Sequence, residues 1–242
     1  MNDTGVRHMK EFLSPDELNA IWKEKELIIF DFDGTLLDSM PMWKHLGSEY
    51  IMSQGITPPS DLDEKLVTMT LEQSGMYYIK ELGLKKTVDE YIRDIYDLVY
   101  DKYKNVLELK PGAAKFVETV SNAGKRICIL TTTIRKCVEG AAAHRGLDRW
   151  ISPDRIFTCS ELKMVKTSPD IYQHVTALMG SSPKDTLVFE DAPFAIKSAK
   201  GAGCMAGAVY DPSALEEEEI IRTYGDFRIR SFEEFFDGRT AG

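Results

Sequence analysis

At 242 residues, with 43% hydrophobic and 29% charged side chains, the chain is long enough for one large domain or for a core domain carrying a smaller insert. Its 30 lysines and arginines face 39 aspartates and glutamates, and the resulting net charge of -9 repels nucleic acid and anionic membrane surfaces. No apolar run approaches the roughly 20 residues that span a bilayer, and the opening MNDTGVRHMKEFL lacks the apolar core of a secretion signal, which predicts a cytoplasmic protein with neither a nucleic-acid nor a membrane partner.

Ser14, Pro15 and Glu17 open a short amphipathic helix whose role the sequence does not disclose. The stretch LIIFDFDGTLLDSM follows: four apolar residues predict a strand at 27–30, with Asp31 and Asp33 at its C-terminal end and Gly34 and Thr35 in the turn beyond. Residues 41–107 then read as helices only, over 42–52, 61–67 and 71–82, with a longer one after Thr87. Thr87 and Glu90 make a T-x-x-E capping box, and Val88, Tyr91, Ile92, Ile95, Val99 and Tyr103 share one stripe, which at helical spacing reads as core.

Strand-like runs resume at 127–131, 155–158, 186–189, 205–209 and 227–229, alternating with helical patterns. Ser168 is a fitting N-cap with Pro169 in the first turn, and Ile171, Val175 and Leu178 follow on one face before Gly180. Ala195, Ala199 and Ala202 would let another helix lie close to a sheet, and the acidic run 216–219 reads as a solvated helix face. The alternation predicts an α/β fold, a parallel sheet covered by helices on both faces, over 1–40 and 108–242. The all-helical insert at 41–107 leaves the first strand at its C-terminal end, where such sheets bind ligands, and so reads as a lid.

Cys128, Cys137, Cys159 and Cys204 are widely spaced with no C-x-x-C, and His8, His45, His144 and His174 are scattered, so neither a zinc site nor a redox pair is expected. Chemistry points instead to the strand ends. Two adjacent carboxylates such as Asp31 and Asp33 repel and are held together by a cation, a shared proton or a reaction that uses both. A later strand ends in Glu190 and Asp191, another in Thr131, Thr132 and Thr133 at the start of a helix, and Lys166 precedes the Ser-Pro-Asp helix. Hydroxyls and backbone N–H groups at a helix start suit an anion.

In that order the four motifs resemble the haloacid dehalogenase-like hydrolases over about 27–211: D-x-D-G-T at Asp31 to Thr35, the hydroxyl at Thr131, Lys166, and the pair Glu190 and Asp191. The chain is similar in particular to the branch with a helical cap between the first two motifs, which includes sugar-phosphate phosphatases and β-phosphoglucomutase. Thr167 stands where the family often has proline, and Ala192 and Ala195 replace the more usual serine and glycine.

The resemblance implies a Rossmann-like core and covalent phosphoryl transfer. Asp31 would form an aspartyl phosphate, and Asp33 would protonate the leaving alcohol and then take a proton from water. Mg²⁺ would be held by Asp31, Asp191, the backbone carbonyl of Asp33 and Glu190, directly or through water, while Thr131, Thr132 and Lys166 hold the phosphoryl oxygens. The expected substrate is a small phosphorylated metabolite, foremost a sugar phosphate, with nucleotides as the alternative and 69–73, Tyr77 and Tyr78 facing the leaving group. Dehalogenases and phosphonate-cleaving relatives lack the second aspartate. In β-phosphoglucomutase a cap arginine grips the distal phosphate and a histidine follows the first motif, and Leu71 and Trp43 stand there in this chain, which favours hydrolysis over the mutase reaction. A non-catalytic binding protein would be expected to have lost a motif, and none is lost. Oligomeric state is not readable.

Overall fold

The computed structural model describes residues 9–236 except 12 and 68, so His8, the rest of 1–8 and 237–242 lie outside the described residues. In chain order the elements are α1 (Pro15–Lys23), β1 (Leu27–Phe30), α2 (Met40–Ser53), α3 (Leu62–Leu66), α4 (Leu71–Glu81), α5 (Val88–Asn105), α6 (Ala113–Asn122), β2 (Arg126–Thr131) and α7 (Arg135–Arg145). They continue with β3 (Ile156–Thr158), α8 (Cys159–Leu162), α9 (Pro169–Leu178), β4 (Thr186–Glu190), α10 (Pro193–Gly201), β5 (Met205–Val209), α11 (Glu218–Tyr224) and β6 (Phe227–Ile229). Two compact units result, Met1–Asp38 with Leu107–Gly242, and Ser39–Val106.

The first unit is built on a six-stranded sheet in the order β3-β2-β1-β4-β5-β6, every pair parallel. All four residues of β1 are buried, as expected of a strand covered on both faces, which reads as a continuous apolar run instead of an alternation. On one face Leu27 and Ile29 pack with Cys128, Leu130 and Val188 against Ile171, Tyr172 and Val175 of α9, beside Ala199 and Ala202. On the other, Phe30 meets Phe116 of α6 at 6.1 Å between ring centroids and Phe189 at 5.6 Å, and Phe116 meets Trp22 of α1 at 6.3 Å. Such aromatic pairs each contribute about 0.5–1.5 kcal/mol beyond the area they bury.

Ser168 caps α9 by accepting from the Asp170 N–H, and Pro169 is its first residue. Ile171 and Val175 are buried, but Leu178 is exposed. The buried stripe also takes in Tyr172 and Thr176, which rotates it about the helix axis and leaves Leu178 on its margin. The acidic run is likewise not uniformly solvated: Glu218 is half-buried and pairs with Arg228 at 2.5 Å and Arg222 at 3.2 Å. Cys128, Cys137 and Cys204 are buried free thiols.

The second unit holds α2 to α5. Thr87 caps α5 in a full capping box with Glu90, and Tyr91, Ile95, Val99 and Tyr103 form its buried stripe. Tyr78 does not face a ligand: it is fully buried, with ring centroids 5.2 Å from Tyr91 and 6.1 Å from Tyr50. Its place in α4 explains this, because Ser74, Gly75 and Tyr78 fall on the helix side turned inward. Leu71, Glu72 and Gln73 form the first turn of that helix, capped by Thr70, where the expected helix over 71–82 begins. Among the described residues no helix is long and apolar enough to cross a membrane.

Candidate active site

From β1 the chain runs outward through β2 to β3 on one side and, later, through β4 to β6 on the other, so the strand order reverses between β1 and β4. Ligands of open parallel sheets bind at the C-terminal strand ends at such a reversal. The register makes the meeting there exact to the residue: Phe30 lies opposite Phe189, and the Asp31 N–H donates to the Phe189 carbonyl at 2.9 Å, which brings Asp31 level with Glu190.

Asp31, Glu190 and Asp191 are all buried, with one carboxylate oxygen from each lying within 4.8 Å of the others. Lys166, itself buried, bonds Glu190 Oε1 at 2.6 Å and also Asp31. Tyr172 Oη donates to the same Glu190 oxygen at 3.3 Å, and Thr35 Oγ1 to Asp191 Oδ1 at 3.3 Å. Three buried carboxylates against one ammonium leave negative charge in excess, in a place where water cannot screen it.

The titration behaviour follows. Burial, then Glu190, push Asp31 well above the usual carboxylate range, against the pull of Lys166. Asp191 is pushed up to about 7 by burial, Glu190 and Asp211. Burial alone would lower the Lys166 ammonium, but Asp31 and Glu190 outweigh it and hold it above its ordinary value. An all-oxygen set with surplus negative charge fits a hard divalent cation such as Mg²⁺.

The Asp33 carboxylate is not a member of this acidic cluster. It accepts from Thr133 Oγ1 at 2.5 Å. Thr131 is fully buried at the end of β2, and its hydroxyl accepts from the Thr133 N–H at 3.0 Å. Thr132 is exposed beside it. These threonines precede α7 instead of opening it, since the helix begins at Arg135 behind Ile134.

Two supports escaped the motif reading. Tyr172 lies outside the stripe of Ile171, Val175 and Leu178 expected on α9, and no local motif marks it. The buried pair of Lys110 and Asp211, 2.6 Å apart, adds another carboxylate near Asp191. The latter had a signal, an aspartate two residues past the end of β5, where Asp31 and Asp191 each stand one residue past the ends of β1 and β4.

The family model for "Haloacid dehalogenase-like hydrolase" matches residues 28–209. The chain belongs to that family. It is 25% identical over 224 residues to the "Probable pseudouridine-5'-phosphatase" of Drosophila melanogaster, covering 88% of this chain and 96% of the relative. It is 25% identical over 179 residues to the "Phosphorylated carbohydrates phosphatase" of Thermotoga maritima, covering 74% and 82%. Among solved structures, CbbY from Rhodobacter sphaeroides in complex with phosphate superposes with a TM-score of 0.67 at 22% identity, covering 88% of this chain and 96% of that one, a likeness of fold.

Proposed function

We propose that the chain is a phosphoric monoester hydrolase that acts on a small phosphorylated metabolite, foremost a sugar phosphate, through a phosphorylated Asp31. The observation that carries this reading is the cluster of Asp31, Glu190 and Asp191 around Lys166 at the sheet's reversal point. The substrate class draws on the names of the relatives, which refer to phosphorylated carbohydrates and to pseudouridine 5'-phosphate.

In this reading an Asp31 oxygen attacks phosphorus, and the ester P–O bond breaks as Asp33 gives its proton to the departing oxygen. Lys166 offsets charge on the transferring phosphoryl group, with Thr131 and Thr132 at its edge. Water then loses a proton to Asp33 and attacks the phosphorus, the P–O bond to Asp31 breaks, and inorganic phosphate leaves with Asp31 restored. Asp31, Asp191, Glu190 and the Asp33 carbonyl would hold Mg²⁺, which when bound supplies Lewis-acid neutralisation of the phosphoryl oxygens.

The test is phosphate release by purified protein across a panel of phosphorylated metabolites, in Mg²⁺ and in EDTA. Release confined to Mg²⁺, with a sharply raised Mg²⁺ requirement in Asp191→Ala, is the expected result. Absence of release from every ester would remove the reading, and unchanged metal dependence in Asp191→Ala would remove that residue from the site.

A further inference from the structure

We propose that Thr133 is a positioning residue for the general acid: its hydroxyl aims the Asp33 carboxyl at the leaving oxygen, a role that rests on the phosphatase reading above. Thr133 Oγ1 donates to Asp33 Oδ2 across 2.5 Å, at the short end of the range for a hydroxyl on a carboxylate. Thr133 is itself fixed, because its N–H donates to the hydroxyl of Thr131 at 3.0 Å, and Thr131 is wholly buried at the end of β2. A rigid sheet strand thus carries the hydroxyl, through one turn, to the acid.

Asp33 needs such a hold. Its main chain is pinned: Gly34 N–H donates to the Leu37 carbonyl at 2.9 Å, and the Leu36 and Leu37 N–H groups to the Phe32 carbonyl at 3.0 and 2.8 Å. Those bonds fix where the Asp33 Cα stands, and the direction of its half-buried carboxyl is set by the groups that bond its oxygens, Thr133 among them. A proton is passed only when donor and acceptor are within hydrogen-bond reach and aligned. The bond from Thr133 restrains the turn of the carboxyl.

The rival role for Thr133 is as a further ligand of the phosphoryl group, one more member of the hydroxyl run. The two roles leave different marks. A lost phosphoryl ligand slows every ester alike, whereas a misdirected acid slows only those whose leaving group needs a proton. The alkoxide of a sugar needs one; p-nitrophenolate departs without it.

The experiment compares kcat/KM, which reports the first phosphoryl transfer, for p-nitrophenyl phosphate and for the sugar phosphate the wild type turns over best. Thr133→Val should lose at least about tenfold more on the sugar phosphate than on the aryl ester, within the range that general acid catalysis supplies. Thr133→Ser, which keeps the hydroxyl, should restore most of the wild-type ratio. Added to Asp33→Asn, Thr133→Val should cost nothing further on the sugar phosphate, because it acts through a group already removed. Melting curves confirm that each variant is folded, and Thr133→Ala replaces Thr133→Val if that variant is not. Equal losses on the two esters, a Thr133→Ser as poor as Thr133→Val, or additive losses with Asp33→Asn would overturn the inference while leaving the phosphatase reading standing. A wild type that releases phosphate from neither ester would overturn both.

Discussion

Lys166 Nζ stands 2.6 Å from Glu190 Oε1 and bonds Asp31 as well, so one buried ammonium ties the end of β1 to the end of β4. Both acids arrive there from the backbone of a parallel sheet, and the lysine arrives from the loop before α9. The sheet brings the carboxylates together whether or not they repel.

Replacing that lysine should therefore harm the fold as well as the chemistry. Removing one partner of a buried ion pair costs about 3–5 kcal/mol, because the remaining charge has no counterpart. Urea unfolding of Lys166→Met in EDTA should show a loss of that order, and added Mg²⁺ should recover part of it by supplying positive charge to the same carboxylates. Phosphate release should fall at least about 100-fold. Unfolding midpoints equal to wild type in EDTA would count against this account.

Asp31→Asn should behave oppositely. The amide cannot serve as the nucleophile, so turnover should vanish, but the cluster loses one repelling carboxylate while Lys166 keeps Glu190. The melting temperature should hold or rise. Near-normal phosphate release from this variant would exclude a phosphorylated Asp31.

Metal-free protein should lose stability as pH rises. Asp191 titrates at about 7 when folded against an ordinary 3.8, so between those values the folded state holds a proton that the unfolded state has released. With fewer protons on the unfolded chain, unfolding becomes easier with rising pH through that window, and Asp31, raised in the same direction, adds to the effect. Asp211, by contrast, is lowered, because its bonds from Lys110 and Ser213 outweigh its burial. Its contribution is present above its ordinary value and is lost only in acid. Urea unfolding in EDTA at about pH 5 and about pH 8 should find the lower pH more stable, and saturating Mg²⁺ should shrink the difference by favouring the ionised carboxylates. Stability in EDTA that climbs between those two pH values would contradict the assignment.

Net hydrolysis is expected in place of phosphate transfer between two hydroxyls of one sugar. Trp43 donates from Nε1 to Tyr103 Oη at 3.0 Å and carries no charge, and Leu71 is the apolar first residue of α4. Neither can grip a second phosphate, and burying a dianion without a partner costs several kcal/mol. The protein incubated with β-glucose 1-phosphate and a trace of the 1,6-bisphosphate, followed by phosphorus NMR, should give inorganic phosphate or no reaction with that sugar. Glucose 6-phosphate accumulating faster than inorganic phosphate would favour the mutase.

Local pattern by itself determined most of the elements and where along the chain the clustered acids stand. The runs from Leu27, Arg126, Thr186, Met205 and Phe227 became strands because a sheet covered on both faces demands continuous apolar stretches, and the caps at Ser168 and Thr87 act within three residues of themselves. The acids at Asp31, Glu190 and Asp191 were legible for the same reason, since Asp31 and the pair Glu190 and Asp191 each follow an apolar run. What only the tertiary structure decided are the contacts between segments far apart in the chain: Thr133 on Asp33, Tyr172 on Glu190, Lys110 on Asp211. Tyr78, expected at the leaving group, and Tyr172, outside the expected stripe, are both fully buried, yet Tyr172 ends against the Glu190 carboxylate and Tyr78 among the rings of Tyr50 and Tyr91. Periodicity states which side of a helix turns inward; which groups wait there depends on how strands and helices from the rest of the chain pack against it.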